Sequence, residues 1–218
     1  MTLDVVLLDV DGTLLDTTEF ILQAFEHVGG RYGLDLPGRE AITGHVGRAL
    51  DEIYAEHAPG QPTDDLVEAH RSFQHANLHL SRPYDRAVET LAELRASGYR
   101  LAAITNRSRR TSVVTLEQAG MAEFFEVILS AEDSPALKPD PAPLRLALER
   151  MSAAKERAVM VGDTPADILA GQALGIPTIA ALYGFHGEDV RKHAPAAVIA
   201  SISELPAALL ALGARAGR

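Results

Sequence analysis

The chain contains no cysteine. Disulfides, thiolate metal sites and a thiol nucleophile are therefore outside its chemistry, and a reducing cytoplasm is the compartment that suits it. Positive charge is scarce as well: 20 lysines and arginines stand against 30 acids, for a formal charge of −10. Nonspecific binding to a polyanion needs a basic surface, so no nucleic-acid partner is expected, although a local basic pocket is still allowed. Long apolar runs are missing, since no stretch approaches the roughly 20 residues of a membrane span. The first apolar run, Val5 to Leu8, is too short for a signal-peptide core, has no basic region before it and is interrupted by Asp9. No internal repeat is present, and the only biased segment is an alanine-rich C-terminus.

What is present fits a full core. At 218 residues the chain can form one domain, or one domain carrying an insertion. Val5 to Leu8 shows no polar alternation, as expected of a strand covered on both faces of a parallel sheet. Further strands are predicted at 100–105, 125–129, 158–162, 177–181 and 197–200. Helical patterns separate them at about 85–97, 109–119, 141–151 and 165–174, several stopped by glycine at Gly98, Gly120 and Gly175. Strand and helix alternate, so the fold class is α/β, a doubly wound parallel sheet.

Residues 16–82 break this rhythm. They read as three or four amphipathic helices, one carrying Phe20, Ile21, Ala24, Phe25 and Val28, the next Ile42, Val46, Leu50 and Ile53, the last Leu66, Val67, Phe73 and Leu78. The expected division is an α/β core of residues 1–15 and 83–218 with an all-helical cap domain of residues 16–82. That insertion leaves the body beside Asp9, at the carboxyl edge where α/β ligands bind, so it can cover the site. A closing helix is expected from Ile202 to Leu212, with fraying from Gly213 to Arg218.

Four strand ends carry suggestive groups, and in a parallel sheet those ends share one edge. Asp9 and Asp11 lie two residues apart, on one face if the strand continues, and Gly12 lets the chain turn away. An ionised carboxylate at Asp9 can attack phosphorus, while Asp11 can protonate the leaving oxygen and later take a proton from water. Asp-Gly is also a common turn pair. Thr105 and Asn106 precede a helix start, where a hydroxyl, an amide and free N–H groups suit phosphate oxygens or serve as ordinary caps. Lys138 is one of three lysines and is fixed among Pro139, Pro141 and Pro143. Asp163 and Asp167 open a helix after a buried strand, with Pro165 in its first turn. Four carboxylates gathered at one edge repel by roughly 4 kcal/mol per pair at ~4 Å in an intermediate dielectric. Such a cluster needs a cation, and oxygen ligands with a phosphate substrate favour Mg²⁺.

These elements, in this order, resemble the haloacid dehalogenase-like superfamily, in the branch with a helical cap between its first two motifs. Asp9-Val10-Asp11-Gly12-Thr13-Leu14 is similar to the first motif and Ile104-Thr105-Asn106 to the second. Lys138-Pro139 is similar to the third, and Val161 to Asp167 to the fourth. The resemblance implies Asp9 as nucleophile, Asp11 as acid and base, and Thr105 and Lys138 as phosphate binders beside Gly12 and Asn106. It also implies Asp9, Asp11 and Asp163 as Mg²⁺ ligands, with Asp167 either a ligand through water or a partner of Lys138. Asp11 points to phosphate rather than carbon–halogen chemistry, and the lysine-free insertion excludes a Schiff-base hydrolase of the phosphonoacetaldehyde type.

The expected activity is Mg²⁺-dependent hydrolysis of a small soluble phosphate monoester, resembling phosphoglycolate phosphatase. Alternatives are a pyrophosphatase, a sugar-phosphate mutase resembling β-phosphoglucomutase, and a noncatalytic phosphate sensor on the same fold. Pro83-Tyr84-Asp85 and Tyr183-Gly184-Phe185 add weak support to the phosphatases. Substrate choice would fall to the cap, where Arg48 in Gly44-His45-Val46-Gly47-Arg48 is the candidate contact to an anionic leaving group. Six of the eight histidines lie between His27 and His79, without a metal assigned to them. Monomer and homodimer both stay open.

Overall fold

A computed structural model describes residues 3–216. Six parallel strands form its central sheet: β1 (Val5–Leu8), β4 (Arg100–Ile104), β5 (Val127–Leu129), β6 (Ala158–Gly162), β7 (Thr178–Ala181) and β8 (Ala197–Ile199). Their spatial order is β5-β4-β1-β6-β7-β8. β1 pairs in register with β4 through Val5↔Arg100 and with β6 through Val5↔Ala158. It is therefore a central strand, as its uninterrupted apolar run requires.

The two faces of β1 feed different cores. Val6 and Leu8 pack with Leu91 and Leu94 of α5 (Ala87–Ala96) and with Leu205 and Leu209 of α9 (Leu205–Ala216). Val5 and Leu7 pack with Leu144 and Leu148 of α7 (Ala142–Arg150) and with Ala170 and Leu174 of α8 (Pro165–Leu174). This alternation is the period-2 geometry of a strand covered on both sides. Each fully buried Leu or Val contributes roughly 1.5–3 kcal/mol. α6 (Arg109–Gln118) follows β4.

The helical interval begins and ends at a two-stranded antiparallel ribbon, β2 (Leu15–Asp16) with β3 (Arg82–Pro83). Between these strands lie α1 (Thr18–Tyr32), α2 (Arg39–Thr43), α3 (Leu50–His57) and α4 (Thr63–Ala76). They close over a core of their own, in which Phe25, Val28, Ile42, Tyr54 and Leu66 meet without any residue of the six-stranded sheet. Two sequence expectations are corrected. The single helix expected through Ile42, Val46, Leu50 and Ile53 is two helices, because the chain turns at residues 44–49, where Gly47 adopts φ +99°. The C-terminal helix also runs on to Ala216 rather than fraying from Gly213, and the end of that expected frayed segment, 217–218, lies outside the described residues.

Candidate active site

The carboxyl ends of β1, β4 and β6 converge as their topology demands. Asp9 follows β1 directly, and its backbone N–H donates to Val161 of β6 at 2.9 Å. Gly12 turns the chain at φ +85°, and a Cβ there would lie 2.2 Å from Asp163 Oδ2, so the position is closed to other residues. Asp163 and Asp167 are held by the start of α8. The Asp167 carboxylate accepts from the Thr164 N–H at 3.0 Å and from the Thr164 hydroxyl at 2.7 Å, a helix-start arrangement with Pro165 in the first turn.

Lys138 reaches into this acidic edge. Its ammonium donates to Asp9 Oδ1 at 2.5 Å, to Asp167 Oδ1 at 2.7 Å and to the Ile104 carbonyl at 2.7 Å, which uses all three of its protons. Asp9, Lys138, Asp163 and Asp167 are each no more than 5% exposed. Asp163 accepts from the Thr13 hydroxyl at 3.0 Å and from the Phe185 N–H at 2.8 Å. One oxygen from each of Asp9, Asp163 and Asp167 lies within 4.8 Å of the others.

The charges of this group do not balance. Burial pushes the Asp9 carboxyl up; Lys138 pulls it down, Asp167 and Asp11 push it further, and it settles at about 8. Asp163 is also raised well above the ordinary carboxylate range, by burial first and then by Asp9 and Asp167. Burial works against the charge on Lys138, but Asp167 and Asp9 outweigh it and keep that ammonium more basic than usual. Three buried carboxylates thus share one cation, an excess that a divalent ion with hard oxygen ligands would relieve. The donor set fits such an ion through Asp9 and Asp163. Asp167 has one oxygen on Lys138 and the other on Thr164, which places it as the lysine's partner.

Asp11 stands apart from the carboxylate cluster. Its Oδ1 accepts from Arg107 Nη1 at 3.1 Å and its Oδ2 from the Thr105 hydroxyl at 3.2 Å. As a metal ligand, therefore, Asp11 has only its backbone carbonyl to offer. Asn106 also takes a different position from a simple phosphate donor. Its amide nitrogen donates to the Lys138 carbonyl at 2.8 Å and to the Gly47 carbonyl at 2.9 Å, while its oxygen accepts from the Lys138 N–H at 3.0 Å. The side chain pins the lysine loop and the 44–49 loop together. The backbone N–H groups of Asp11 and Asn106 make no hydrogen bond to another described residue.

Arg48 is the sequence candidate that the structure occupies otherwise. It ion-pairs with Glu56 at 2.8 Å and donates to His45 Nδ1 at 2.9 Å. His45 Nε2 meets His57 Nε2 at 2.9 Å, and burial, with Arg48 alongside, lowers the basicity of His45. Arg107 is the residue that sequence reasoning missed. It is almost wholly buried, bonded to Thr111 at 2.9 Å and Thr115 at 2.8 Å and stacked 3.9 Å over the Phe20 ring. The available signal was a pair of threonines four and eight residues on, at core-facing positions of α6 where apolar residues are expected. The aromatic loops do meet, with the Tyr84 and Tyr183 rings 4.9 Å apart, edge to face, and the Tyr183 hydroxyl on the Thr13 carbonyl.

A cavity of about 170 Å³ lies between this edge and the helical interval, reaching from Asp9 and Lys138 to α1, the 44–49 loop and α4. Among the described residues, no helix is long and apolar enough to cross a membrane.

Comparison with known proteins gives consistent matches. The model of the haloacid dehalogenase-like hydrolases matches residues 6–181. Pyrophosphatase PpaX of Bacillus pumilus is 35% identical over 206 residues, covering 94% of this chain and 95% of that protein. A haloacid dehalogenase-like hydrolase from Streptococcus pneumoniae superposes with a TM-score of 0.86 at 25% identity, covering 94% of this chain and 98% of the other. A structure described as a predicted phosphoglycolate phosphatase, from Haemophilus somnus, has the same fold, with a TM-score of 0.84 at 22% identity and coverage of 95% and 98%.

Proposed function

The chain belongs to the haloacid dehalogenase-like hydrolases, and within that family we propose that it is a Mg²⁺-dependent phosphatase hydrolysing a small phosphate monoester through an aspartyl-phosphate on Asp9. The observation that carries this reading is the Lys138 ammonium clamped between Asp9 and Asp167 beside Asp163. Lys138 can hold a phosphoryl oxygen next to the attacking carboxylate by turning toward it the proton it otherwise gives to Asp9. The N–H groups of Asp11 and Asn106, without a partner among the described residues, are the donors left to meet the other phosphoryl oxygens.

In this mechanism an Asp9 oxygen forms a bond to phosphorus as the bond to the leaving oxygen breaks, and Asp11 gives that oxygen its proton. Water then attacks the phosphorus of the aspartyl-phosphate and passes a proton to Asp11. The Asp9–phosphorus bond breaks, and inorganic phosphate leaves. Mg²⁺ held by Asp9, Asp163 and the Asp11 carbonyl would supply the positive charge that lets two anions approach. Residues 16–82 act as the cap domain over a core of 1–15 and 83–218. Asn106 to Gly47, and His186 to the Val46 carbonyl at 3.2 Å, are the contacts that seat the cap loop on that core.

Phosphate release from an ester panel with Mg²⁺ tests the proposal, with Asp9→Asn as the variant that must lose turnover. Full activity in Asp9→Asn would rule the mechanism out. The likeness to pyrophosphatase PpaX favours pyrophosphate as a second reading. Higher kcat/KM on pyrophosphate than on every organic ester would establish it in place of the first.

A further inference from the structure

Two imidazoles meet in the helical interval, at a place that the hydrolytic reading does not use. His45 lies in the 44–49 loop, His57 is the last residue of α3, and their Nε2 atoms are 2.9 Å apart. Two ring nitrogens in such contact share a single proton. Arg48 Nη1 donates to His45 Nδ1 at 2.9 Å, which makes Nδ1 the acceptor and leaves the proton on His45 Nε2. The lone pair of His57 Nε2 therefore faces His45, and the His57 proton sits on Nδ1.

Glu56 completes the group. Its Oε1 stands 3.5 Å from His57 Nε2, and one ligand atom from each of His45, Glu56 and His57 falls within 4.8 Å of the other two. Its Oε2 is held by Arg48 at 2.8 Å. Donors around a tetrahedral Zn²⁺, with bonds of about 2.0–2.1 Å, are separated from one another by roughly 3.3 Å. The observed 2.9 and 3.5 Å fall on either side of that spacing, so small side-chain rotations would close the three donors on an ion. The His57 side chain is 21% exposed and that of Glu56 48%, which opens the group to an ion from solvent. Mg²⁺ seeks oxygen and suits the acidic edge instead, whereas imidazole donors suit Zn²⁺.

From this geometry we infer that His45, Glu56 and His57 form a second metal site, separate from the acidic edge around Asp9, which takes Zn²⁺ with a water as fourth ligand. Binding transfers the His45 proton from Nε2 to Nδ1 through solvent, with no net release. Arg48 gives up His45 Nδ1 but keeps Glu56 Oε2, where it orients the ligating carboxylate. The ion ties the 44–49 loop to the last turn of α3, so that loop and helix move as one body. His45 and His57 are twelve residues apart, outside the short ligand spacings of zinc motifs, so only the fold brings them together. The inference does not depend on the phosphatase reading.

Calorimetric titration of Zn²⁺ into Asp163→Asn, in excess Mg²⁺, reads this site apart from the acidic edge. One Zn²⁺ per chain should bind. Adding His45→Gln or His57→Gln should weaken it at least tenfold, the loss that even an outer partner of a ligand brings. Glu56→Gln should weaken it as well, while His75→Gln, at an exposed position of α4, should leave the affinity unchanged. NMR of the wild-type protein covers the case in which a variant fails to fold. At one equivalent of Zn²⁺ in excess Mg²⁺, the ring signals of His45 and His57 should shift and those of the other six of the eight histidines should stay. Absence of zinc binding, an affinity that both histidine substitutions leave intact, or ring shifts confined to other histidines would overturn the inference.

Discussion

Arg107 Nη1 lies 3.1 Å from Asp11 Oδ1, in an ion pair whose side chains are only 7% and 13% exposed. The same guanidinium stacks on Phe20 of α1, so one side chain touches the proposed acid and base and the helical interval together. Removing one partner of a buried pair leaves the other uncompensated, at a cost of about 3–5 kcal/mol. Arg107→Met should therefore destabilise the protein by roughly that much, with the lower end favoured by the hydroxyls that remain around Asp11. Adding Asp11→Asn should recover part of the loss. A double-mutant cycle in urea with coupling below about 0.5 kcal/mol would show that the pair acts independently.

Asp9→Asn should lower turnover by about a thousandfold or more, as removal of a nucleophile does. It should leave the melting temperature unchanged or higher, because burial already works against the ionised Asp9 carboxyl. Circular dichroism and thermal melts, read beside phosphate release, check both halves. A variant that melts much earlier would assign Asp9 to the scaffold rather than the chemistry.

The excess of buried carboxylate predicts a metal response that does not depend on turnover. Mg²⁺ at about 100 times its dissociation constant should stabilise the fold by roughly 2.7 kcal/mol, seen as a rise in melting temperature that chelation reverses. Asp163→Asn should abolish most of that rise. An undiminished rise in Asp163→Asn would place the ion elsewhere.

His70 makes stability depend on pH. Burial lowers its pKa from an ordinary 6.5 to about 3, so it stays neutral in the fold while the unfolded chain takes up a proton below 6.5. The stability it contributes is complete above that value and is lost as pH falls from 6.5 toward 3. Between pH 7.5 and 5 the loss from this group is about 2 kcal/mol. His70→Gln does not titrate and should show a correspondingly flatter decline in urea midpoints. Parallel declines in the two proteins would refute the assignment.

The elements most legible in the sequence were those with the strongest burial. Ala158–Gly162 matched its strand to the residue, and α8 ran from its proline to the residue before Gly175, as its start and stop signals required. The break between α2 and α3 was not legible, because Ile42, Val46, Leu50 and Ile53 keep a helical period across a turn. Tertiary packing into the core of the helical interval, rather than the local pattern, sets that period. The acidic cluster could be anticipated, since parallel strand ends must share an edge. Arg107 was signalled only by Thr111 and Thr115, because the rest of its environment comes from Asp11 and Phe20, far away in the chain. Arg48 illustrates the opposite case: a correct placement at the cavity, with its charge already spent on Glu56.

Asn106 carries one further consequence. An amide nitrogen has two protons, and here one goes to the Lys138 carbonyl and the other to the Gly47 carbonyl. The Lys138 loop also fixes the amide from its other side, through the Lys138 N–H on the Asn106 oxygen. The proton aimed at Gly47 is consequently already oriented before the loop arrives. Separating the loop from the core exchanges this hydrogen bond, and that between His186 and the Val46 carbonyl, for bonds to water and leaves the Lys138 ammonium in place. The latch and the reacting centre share a single side chain, yet only the latch has to open between one substrate and the next.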